Sequence, residues 1–359
     1  MQIELNPFDT LFFRDGKPFE RGDEVWANGV FPPAPSVVYG ALRTTLLSRN
    51  LDWLSLAGGP DDPTRALRIK AFLLQQDGKV YFPCPYDVVY EKEDKDDPQL
   101  LSLEKRTFLS SFPMESVLVP PSEQGIWETM GGNHFVSYLD FNQYLQKTQR
   151  PLPIKANDFL KKEPKIGIQK SRMTGSSEEG RLYRVELLRL LENTGFYLDV
   201  ELPESTEASL STAGIINIGG EGKSVGYKLT NAVVDISLPE LEGEFFKLVF
   251  ATPACFEQGW LPKGIDPITM KGEWCGQQVK ILTVASDRPV YLGGFAMKTA
   301  HQAGGPKPMR RAIPAGTVYF LKIMKGETQE VAKAFHNQCI SDYGLDREGF
   351  GLTFVGKIK

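Results

Sequence analysis

A short basic stretch, Lys298 to Arg311, combines the residue types best suited to binding phosphate. Its sequence is KTAHQAGGPKPMRR, with four cations and no acid, inside a chain of 359 residues with 45 acidic and 41 basic ones. Lysine and arginine neutralise phosphates, and glycine lets backbone N–H groups approach them. The glycines and prolines of the stretch disfavour a helix. A single-stranded nucleic acid therefore fits better than a duplex, because no recognition helix carries these charges.

Residues 161–189 form a second basic region, with eight bases and four acids. Lys170 and Arg172 lie beside the polar tip GSS (175–177), which indicates a turn. A solvated charged face is the simplest alternative interpretation of a single basic cluster. Two such clusters, both next to flexible backbone, favour binding to nucleic acid.

The segment NIGGEGKS (217–224) nearly matches the phosphate-binding P-loop pattern, except that Asn217 stands where the first glycine is required. A P-loop is followed by a helix, whose first amides face the phosphates. Here the following residues, VGYKLTNAVVDI, have an extended pattern. The segment is therefore interpreted as a close-packed glycine loop with Lys223 at its mouth, and a nucleotide-binding module remains a competing hypothesis.

Catalysis has few candidate groups in this sequence. Of the three histidines, His134 has no evident partner, and His336 falls within a predicted helix and is interpreted as structural. His301 lies in the basic stretch and could serve a metal-independent endoribonuclease by acid–base chemistry. No arrangement of a nucleophile with a base can be argued from spacing. The four cysteines are too far apart for a zinc site, so no metal and no cofactor are expected.

The elements that position these residues are those of a mixed α+β protein. Strands are predicted near Ile3 and over 245–254, and a helix is predicted after Ser36 as its N-cap. The segment 181–202 is predicted to form strands rather than a helix, because it has many β-formers and a turn signal at Asn193, and its two apolar runs around ENTG also fit a hairpin. The acidic segment 91–99 is predicted to be a solvated loop, and a second helix is predicted from Thr328 to Ser341.

The chain looks like two copies of one plan. Each half opens with a strand and closes with a glycine-rich loop leading into a strand, at 216–229 and at 347–358. This order suits a β-α-β-β-α-β ferredoxin-like unit. The predicted domains are therefore 1–239, which includes an insertion at 150–180, and 240–359. No apolar run is long enough to span a membrane and no secretory signal is evident, so a cytoplasmic protein is expected.

Seven segments, in order along the whole chain, resemble the family of third subunits of the Cmr complex, the type III-B CRISPR effector. This family belongs to the RAMP (repeat-associated mysterious protein) superfamily. The segments are PFDTLFFRDGKPFE (7–20), FPPAPSVVYGALRT (31–44), EEGRLYRVELLRL (178–190), GGEGKSVGY (219–227), FATPACFEQGWLP (250–262), GPKPMRRAIPAGTVYF (305–320) and GFGLTFVG (349–356).

The resemblance implies two ferredoxin-like (RRM-like) modules of the RAMP type, with long insertions. It implies a non-catalytic subunit that holds the 5′ repeat-derived tag of the guide RNA. It also implies that this subunit docks the large polymerase-type subunit and contacts the backbone RAMP subunit. A protruding thumb hairpin kinks the guide in this superfamily, and the insertion at 150–180 is the expected thumb.

The same resemblance, taken residue by residue, gives an expected RNA-binding set, although each member could instead be a surface ion-pair partner. Arg43 is expected to face an RNA phosphate, and Arg14 and Lys17 to reach either RNA or the large subunit. The thumb is expected to contribute Lys170 and Arg172. A backbone cradle is expected from Gly219, Gly220, Gly222 and Lys223. The tag-binding surface is expected to be lined by Lys298, Lys307, Arg310 and Arg311.

Overall fold

The computed structural model describes residues 1–14, 26–106, 113–170, 177–203, 206, 210–301 and 303–358, with side chains omitted at 26–27, 95, 168–170 and 177–183. The chain divides into two compact units, each made of three separated stretches. Unit 1 comprises Met1–Arg68, Asn157–Asn231 and Tyr291–Arg310, and unit 2 comprises Ile69–Ala156, Ala232–Val290 and Arg311–Lys359. The predicted linear division at residue 240 stays a prediction.

Unit 1 contains four antiparallel strands in the order β14-β1-β16-β15. Their bounds are β1 Gln2–Pro7, β14 Thr194–Glu201, β15 Ala213–Asn217 and β16 Ser224–Thr230. In the register of this sheet, Ile3 of β1 lies opposite Leu198 and Leu229. Ile3 and Leu5 are fully buried, so the predicted first strand is confirmed as a central strand.

Helix α1 (Pro35–Arg49) follows in the same unit and buries one apolar face. Val38, Leu42 and Leu46 recur at four-residue spacing and are all buried. The predicted N-cap at Ser36 is wrong, because Ala34 occupies the cap position and Pro35 the first helical turn. Proline suits that turn, since its fixed φ matches the helix and its missing N–H needs no partner there. A short 3-10 helix, Leu51–Ser55, comes next.

A long hairpin in unit 1 joins β12 (Leu160–Lys170) to β13 (Ser177–Leu190), and β2 (Trp26–Ala27) pairs parallel with β13. The strand prediction for 181–202 is confirmed, with Asn193 in a left-handed turn conformation at φ 54°. The hairpin interpretation of that segment is wrong. β13 pairs with β12, whereas β14 pairs with β1, because the turn leads the chain into a different sheet.

Unit 2 contains a second antiparallel arrangement, in the order β11-β10-β4-β3, with helix α2 (Tyr138–Lys147) after β10. Phe141 of α2 stacks on Phe82, with ring centroids 4.2 Å apart, and Phe354 meets both rings edge-on. The strand bounds are β3 Arg68–Gln76, β4 Lys79–Pro83, β10 His134–Ser137 and β11 Ile154–Lys155.

Smaller sheets of unit 2 correct the prediction of an acidic loop at 91–99. Glu91 pairs with Asp94 in a hairpin of two strands. Val88 and Val89 of the first strand are buried, while most of the acidic side chains face solvent. The strands of these sheets are β5 Val88–Glu91, β6 Asp94–Leu100 and β9 Trp127–Thr129, followed by the pair β7 Ser102–Lys105 and β8 Ser116–Val119.

A six-stranded antiparallel sheet completes unit 2, in the order β18-β19-β24-β17-β26-β25. Its strands are β17 Phe245–Phe250, β18 Lys271–Trp274, β19 Gln277–Ala285, β24 Val318–Ile323, β25 Gln338–Cys339 and β26 Leu352–Gly356. Helix α3 (Thr328–Lys333) and a 3-10 turn (Leu345–Glu348) lie between β24 and β26. The predicted helix to Ser341 is therefore too long, since Asn337 takes a left-handed conformation and β25 begins after it.

The strand orders confirm the predicted fold class. Across the sheet of a ferredoxin-like unit, the strands lie in the order second, third, first, fourth. Unit 2 has this order as β19-β24-β17-β26, and helix α3 precedes the fourth strand in the sequence. In unit 1, β14-β1-β16 repeats the third, first and fourth positions. The two glycine-rich loops lead into β16 and β26, and each of these strands pairs with the first strand of its module. The similarity between the glycine loops therefore reflects equivalent places in the two modules.

Candidate nucleic-acid interface

Residues 291–311, here called the basic hairpin, contain the basic stretch. The strands β20 (Val290–Leu292) and β23 (Arg310–Ala312) form a two-stranded sheet. Between them, β21 (Phe295–Ala296) pairs antiparallel with β22 (Gly305–Pro306), and the Lys307 N–H donates to the Gly294 oxygen over 2.8 Å. The basic stretch, predicted not to form a helix, is thus part of a hairpin with very short strands and an exposed tip.

The cations of the basic hairpin face solvent. Lys298, Lys307 and Arg311 are exposed, and Arg310 is half-buried. No acidic residue occurs between 291 and 311. Within the described residues, no carboxylate lies within ion-pair distance of Lys298 or Arg311. These two side chains can therefore meet a phosphate without first breaking an internal pair.

His301 lies in the same hairpin, and its ring makes no hydrogen bond to a described residue. Its backbone N–H donates to the Thr299 hydroxyl over 3.3 Å. Its ring packs against the turn at Gly59, where an added Cβ would come within 2.9 Å of the His301 Cδ2 atom. His336 has the structural role that the sequence predicted, because both of its ring nitrogens bond to backbone groups.

Three cations of the second basic region are paired with acids. Lys162 pairs with Glu186 at 2.9 Å, and Lys165 pairs with Glu221 at 3.0 Å. Arg189 donates to both Glu163 and Asp9. Lys162–Glu186 and Arg189–Glu163 join the two strands of the β12–β13 hairpin, because residues on paired strands project side by side. Glu221 and Asp9 come from other segments of the chain. Lys162, Lys165 and Arg189 are thus compensated by acids, which distinguishes them from Lys298 and Arg311.

Arg43 projects from α1 into an internal ion pair. Its Nη2 lies 2.6 Å from the Asp62 carboxylate, and its Nε donates to the Thr64 hydroxyl over 3.0 Å. Both donors are therefore engaged within unit 1. The expected contact of Arg43 with RNA stays a prediction, and so does the alternative that it is purely an ion-pair partner.

The glycine loop 219–223 packs against the segment after β1. An added Cβ on Gly219 would lie 2.4 Å from the Phe12 oxygen, and one on Gly220 would lie 2.9 Å from the Phe12 ring. Gly222, at φ +63°, faces open space. Lys223 donates to the Thr10 hydroxyl over 2.9 Å and lies 3.5 Å from Asp9. Two of the three glycines are thus explained by close packing, and the predicted cradle stays a prediction.

A strand, not a helix, follows this loop. Ser224 begins β16, so no helix N-terminus faces residues 219–223. The P-loop geometry therefore does not form, in agreement with the sequence interpretation.

The remaining predicted positions are only partly described. The Arg14 backbone bridges to Gly29, and its side chain is exposed. Lys17 and Arg172 lie outside the described residues, and for Lys170 only the backbone in β12 is described. The β12–β13 hairpin overlaps the predicted insertion at 150–180, and both its assignment as the thumb and its RNA contact stay predictions.

Sequence reasoning missed the apolar part of the basic hairpin. Tyr291, Phe295, Met297 and Met309 are all exposed, and Phe295 is 70% exposed. For Tyr291, Phe295 and Met297 the signal was present in YLGGFAMK (291–298), where large apolar residues accompany glycines and precede the first cation.

The model of the family described as CRISPR-associated protein (Cas_Cmr3) matches residues 3–358, nearly the whole chain. The chain belongs to this family. It is a Cmr3-type subunit of a type III-B CRISPR effector, as the seven segments suggested. No curated protein sequence matches the chain.

Two solved structures share the fold of this Cmr3-family chain. One is a chain from the structure of the type III-B Cmr-beta complex bound to cognate target RNA and AMPPnP. It is 16% identical to this chain, with a TM-score of 0.51, and the match covers 89% of this chain and 86% of that chain. The other is Cmr-beta bound to cognate target RNA, with 15% identity and a TM-score of 0.52 over 89% and 86%. At this identity the likeness establishes the RAMP-type fold.

Neither a metal site nor a membrane-spanning helix is found in the described part of the Cmr3-family chain. No three histidine, cysteine or acidic side chains are grouped there so as to hold a metal ion. No helix there is both long and apolar enough to cross a membrane.

Proposed function

We propose that this Cmr3-type subunit is a non-catalytic scaffold that holds the 5′ repeat-derived tag of the guide RNA on its basic hairpin. The observation that carries the proposal is the contrast between two basic regions. Lys298 and Arg311 are exposed and have no ion-pair partner in the described residues, whereas Lys162, Lys165 and Arg189 are paired with acids.

This contrast matters energetically. A cation that contacts a phosphate releases a counterion from the RNA, and this release drives binding. A lysine already paired with a glutamate must give up that interaction first, so its net gain is smaller. The basic hairpin therefore offers the larger electrostatic gain to a ribose-phosphate strand. Its glycines also let the backbone come close to the strand.

The proposal extends to the rest of the expected interface. Further RNA contacts, beyond the basic hairpin, would come from Arg14, Lys17 and Arg43, from the thumb cations Lys170 and Arg172, and from the cradle Gly219, Gly220, Gly222 and Lys223. The subunit would dock the large polymerase-type subunit and the backbone RAMP subunit. The same proposal divides the chain into modules at 1–239 and 240–359. It also places the protein in the cytoplasm.

Absence of RNA cleavage is part of the proposal and has its own test. An endoribonuclease would need a second acid–base group beside His301, and the His301 ring makes no hydrogen bond to a described residue. Purified protein incubated with repeat RNA in chelator should leave the RNA intact. Site-specific cutting that disappears in His301→Ala would replace the scaffold with a metal-independent nuclease.

A salt titration tests the RNA-binding role. For single strands, log affinity falls against log salt with a slope of about −0.7 per neutralised phosphate. Removing both Lys298 and Arg311 as alanine variants should make the slope shallower by about 1.4 if each contacts a phosphate. The measurement uses the tag-bearing guide RNA with the isolated chain and with the assembled effector complex.

The matched control removes the same charge elsewhere. Lys263 and Lys333 are exposed and paired with Glu257 and Glu330, so the double alanine variant should leave the slope unchanged. An equal effect of the two double variants would indicate a response to net charge alone. An unchanged slope for the Lys298/Arg311 variant would end the proposal, and loss of a protein subunit from its complex would assign the basic hairpin to an acidic protein partner.

A further inference from the structure

The basic hairpin exposes large apolar side chains as well as cations. Phe295 is 70% exposed and Met297 is 67% exposed, and Tyr291 and Met309 are each about half exposed. Single exposed apolar residues are common on protein surfaces. Four of them within one short acid-free hairpin, among four cations, are a specific combination.

The register of the hairpin separates an apolar face from a cationic one. Phe295 lies opposite Pro306, and Ala296 lies opposite Gly305. Successive residues of a strand project to opposite faces, so Phe295 and Pro306 share one face. The aliphatic chain of Lys307 lies on the other face, because its Cδ is 3.3 Å from the Cβ position of Gly294.

From this arrangement we propose that Phe295 is a base-stacking site for the single-stranded RNA. The ring, which lies opposite Pro306 in the strand pair, stacks on one unpaired base, while Lys298 and Lys307 hold phosphates of nucleotides further along the RNA, where the strand passes to the cationic face. This inference rests on the proposed function and adds the residue that contacts a base. Stacking tolerates any base, because every base has a π-face, so the site positions the strand and does not read its sequence.

The chemistry of the hairpin favours RNA over a protein as the occupant. Single-strand binding sites combine a positively charged path with exposed aromatic rings. The cores of protein interfaces are depleted of lysine, whereas here Lys298 and Lys307 lie within a few residues of Phe295. The absence of acids from 291–311 also leaves no partner on the hairpin for a basic protein surface.

Replacing Phe295 tests the site in the full chain with tag-bearing guide RNA. Loss of one stacked base should weaken binding about 5- to 150-fold in Phe295→Ala. The salt slope should stay unchanged, because no phosphate contact is lost. Phe295→Trp should retain affinity. The control is Phe245→Ala. Phe245 belongs to unit 2, is also exposed, and has the Lys322 Nζ 5.6 Å from its ring centroid.

Photocrosslinking supplies a direct readout. Guide RNA carrying 5-iodouridine at successive tag positions should crosslink to Phe295 at one position, identified by mass spectrometry of the peptide. Unchanged affinity in Phe295→Ala, with no crosslink in 291–311, would overturn the stacking site even if the Lys298/Arg311 variant still loses salt dependence. If neither change affects RNA binding, the proposed function fails as well. Release of another subunit by Phe295→Ala, with RNA binding intact, would also overturn the stacking site in favour of protein docking.

Discussion

The Arg43 guanidinium lies 2.6 Å from the carboxylate of Asp62, and it completes the hydrogen bonding of a buried acid. Asp62 also accepts from the Gly58 N–H over 2.8 Å and from both the N–H and the hydroxyl of Thr64. Burial would raise the pKa of Asp62, but these hydrogen bonds together with that from Arg43 lower it to about 2. The turn after α1 is therefore held by an ionised aspartate.

Arg43→Ala should lower the free energy of unfolding by about 2 kcal/mol, because it leaves the buried Asp62 carboxylate short of a donor. Chemical denaturation measures this change. Arg65→Ala, which removes an exposed arginine of the same unit, should cost less than about 0.5 kcal/mol. The salt slope of Arg43→Ala then tests the expected phosphate contact separately. A slope shallower by about 0.7 would support that contact, and an unchanged slope with lowered stability would assign Arg43 to Asp62 alone.

Acid should weaken the fold through the same Asp62. Its pKa in the folded state, about 2, is below its ordinary value of 3.8, so the unfolded state binds the proton more tightly. The stabilisation is therefore present above about pH 4 and is lost as the pH falls towards 2. The difference in stability between wild type and Asp62→Asn should shrink over that interval. A constant difference would contradict the role of the ionised carboxylate.

His336 should add a second acid-sensitive contribution at higher pH. Its Nε2 lies 2.6 Å from the Ile236 oxygen, and its Nδ1 accepts the Val355 N–H over 3.2 Å. Burial lowers the pKa of His336, against the opposing effects of the Ile236 hydrogen bond and of Asp235. The fold therefore favours the neutral ring, and stability should fall as the pH drops below about 6.5. Denaturation curves of His336→Ala should give a lower free energy of unfolding at neutral pH than wild type. That free energy should also depend less on pH between 5 and 7.

A buried triad in unit 2 should behave as a coupled set. Lys247 lies 3.3 Å from Asp87, its Nζ is 3.4 Å from the centroid of the Tyr144 ring, and the Tyr144 hydroxyl donates to Asp87 over 2.6 Å. Burial lowers the pKa of Lys247 and raises that of Tyr144. Asp87→Leu or Lys247→Met alone should cost about 3–5 kcal/mol, because each leaves a buried charge unpaired.

The double variant Asp87→Leu/Lys247→Met gives the control for this triad. It should cost much less than the sum of the two single changes, because no unpaired charge remains. Urea denaturation of the four proteins of this cycle measures the coupling. Simple additivity would contradict an ion pair between these residues.

The periodic and repetitive features of the sequence were enough to predict the fold class. The four-residue spacing of Val38, Leu42 and Leu46 identified α1, and the repeated glycine loops identified the two modules. Partner choice was not predictable in the same way. The chain from β13 to β14 turns at Asn193 into another sheet, and this depends on contacts with β1, nearly 200 residues away.

Charge counts along the chain had a similar limit for the candidate site. The excess of cations in 161–189 suggested a binding surface, yet its compensating acids include Asp9 and Glu221, which are remote in sequence. Lys298 and Arg311 of the basic hairpin, by contrast, have no ion-pair partner in the part of the chain that the structure describes, and no acid occurs between 291 and 311. Only the folded structure distinguishes a compensated cation from an available one.

The glycine loop gives a last test of packing against phosphate binding. Gly219→Ala should lower the free energy of unfolding by more than about 2 kcal/mol, because the new Cβ would lie 2.4 Å from the Phe12 oxygen at φ +72°. Gly222→Ala meets open space and carries only the cost of its positive φ, about 1 kcal/mol. Thermal and urea denaturation compare the two variants. Equal losses would show that contact with Phe12 is not what requires glycine at 219, and the predicted cradle would then become the better reason for it.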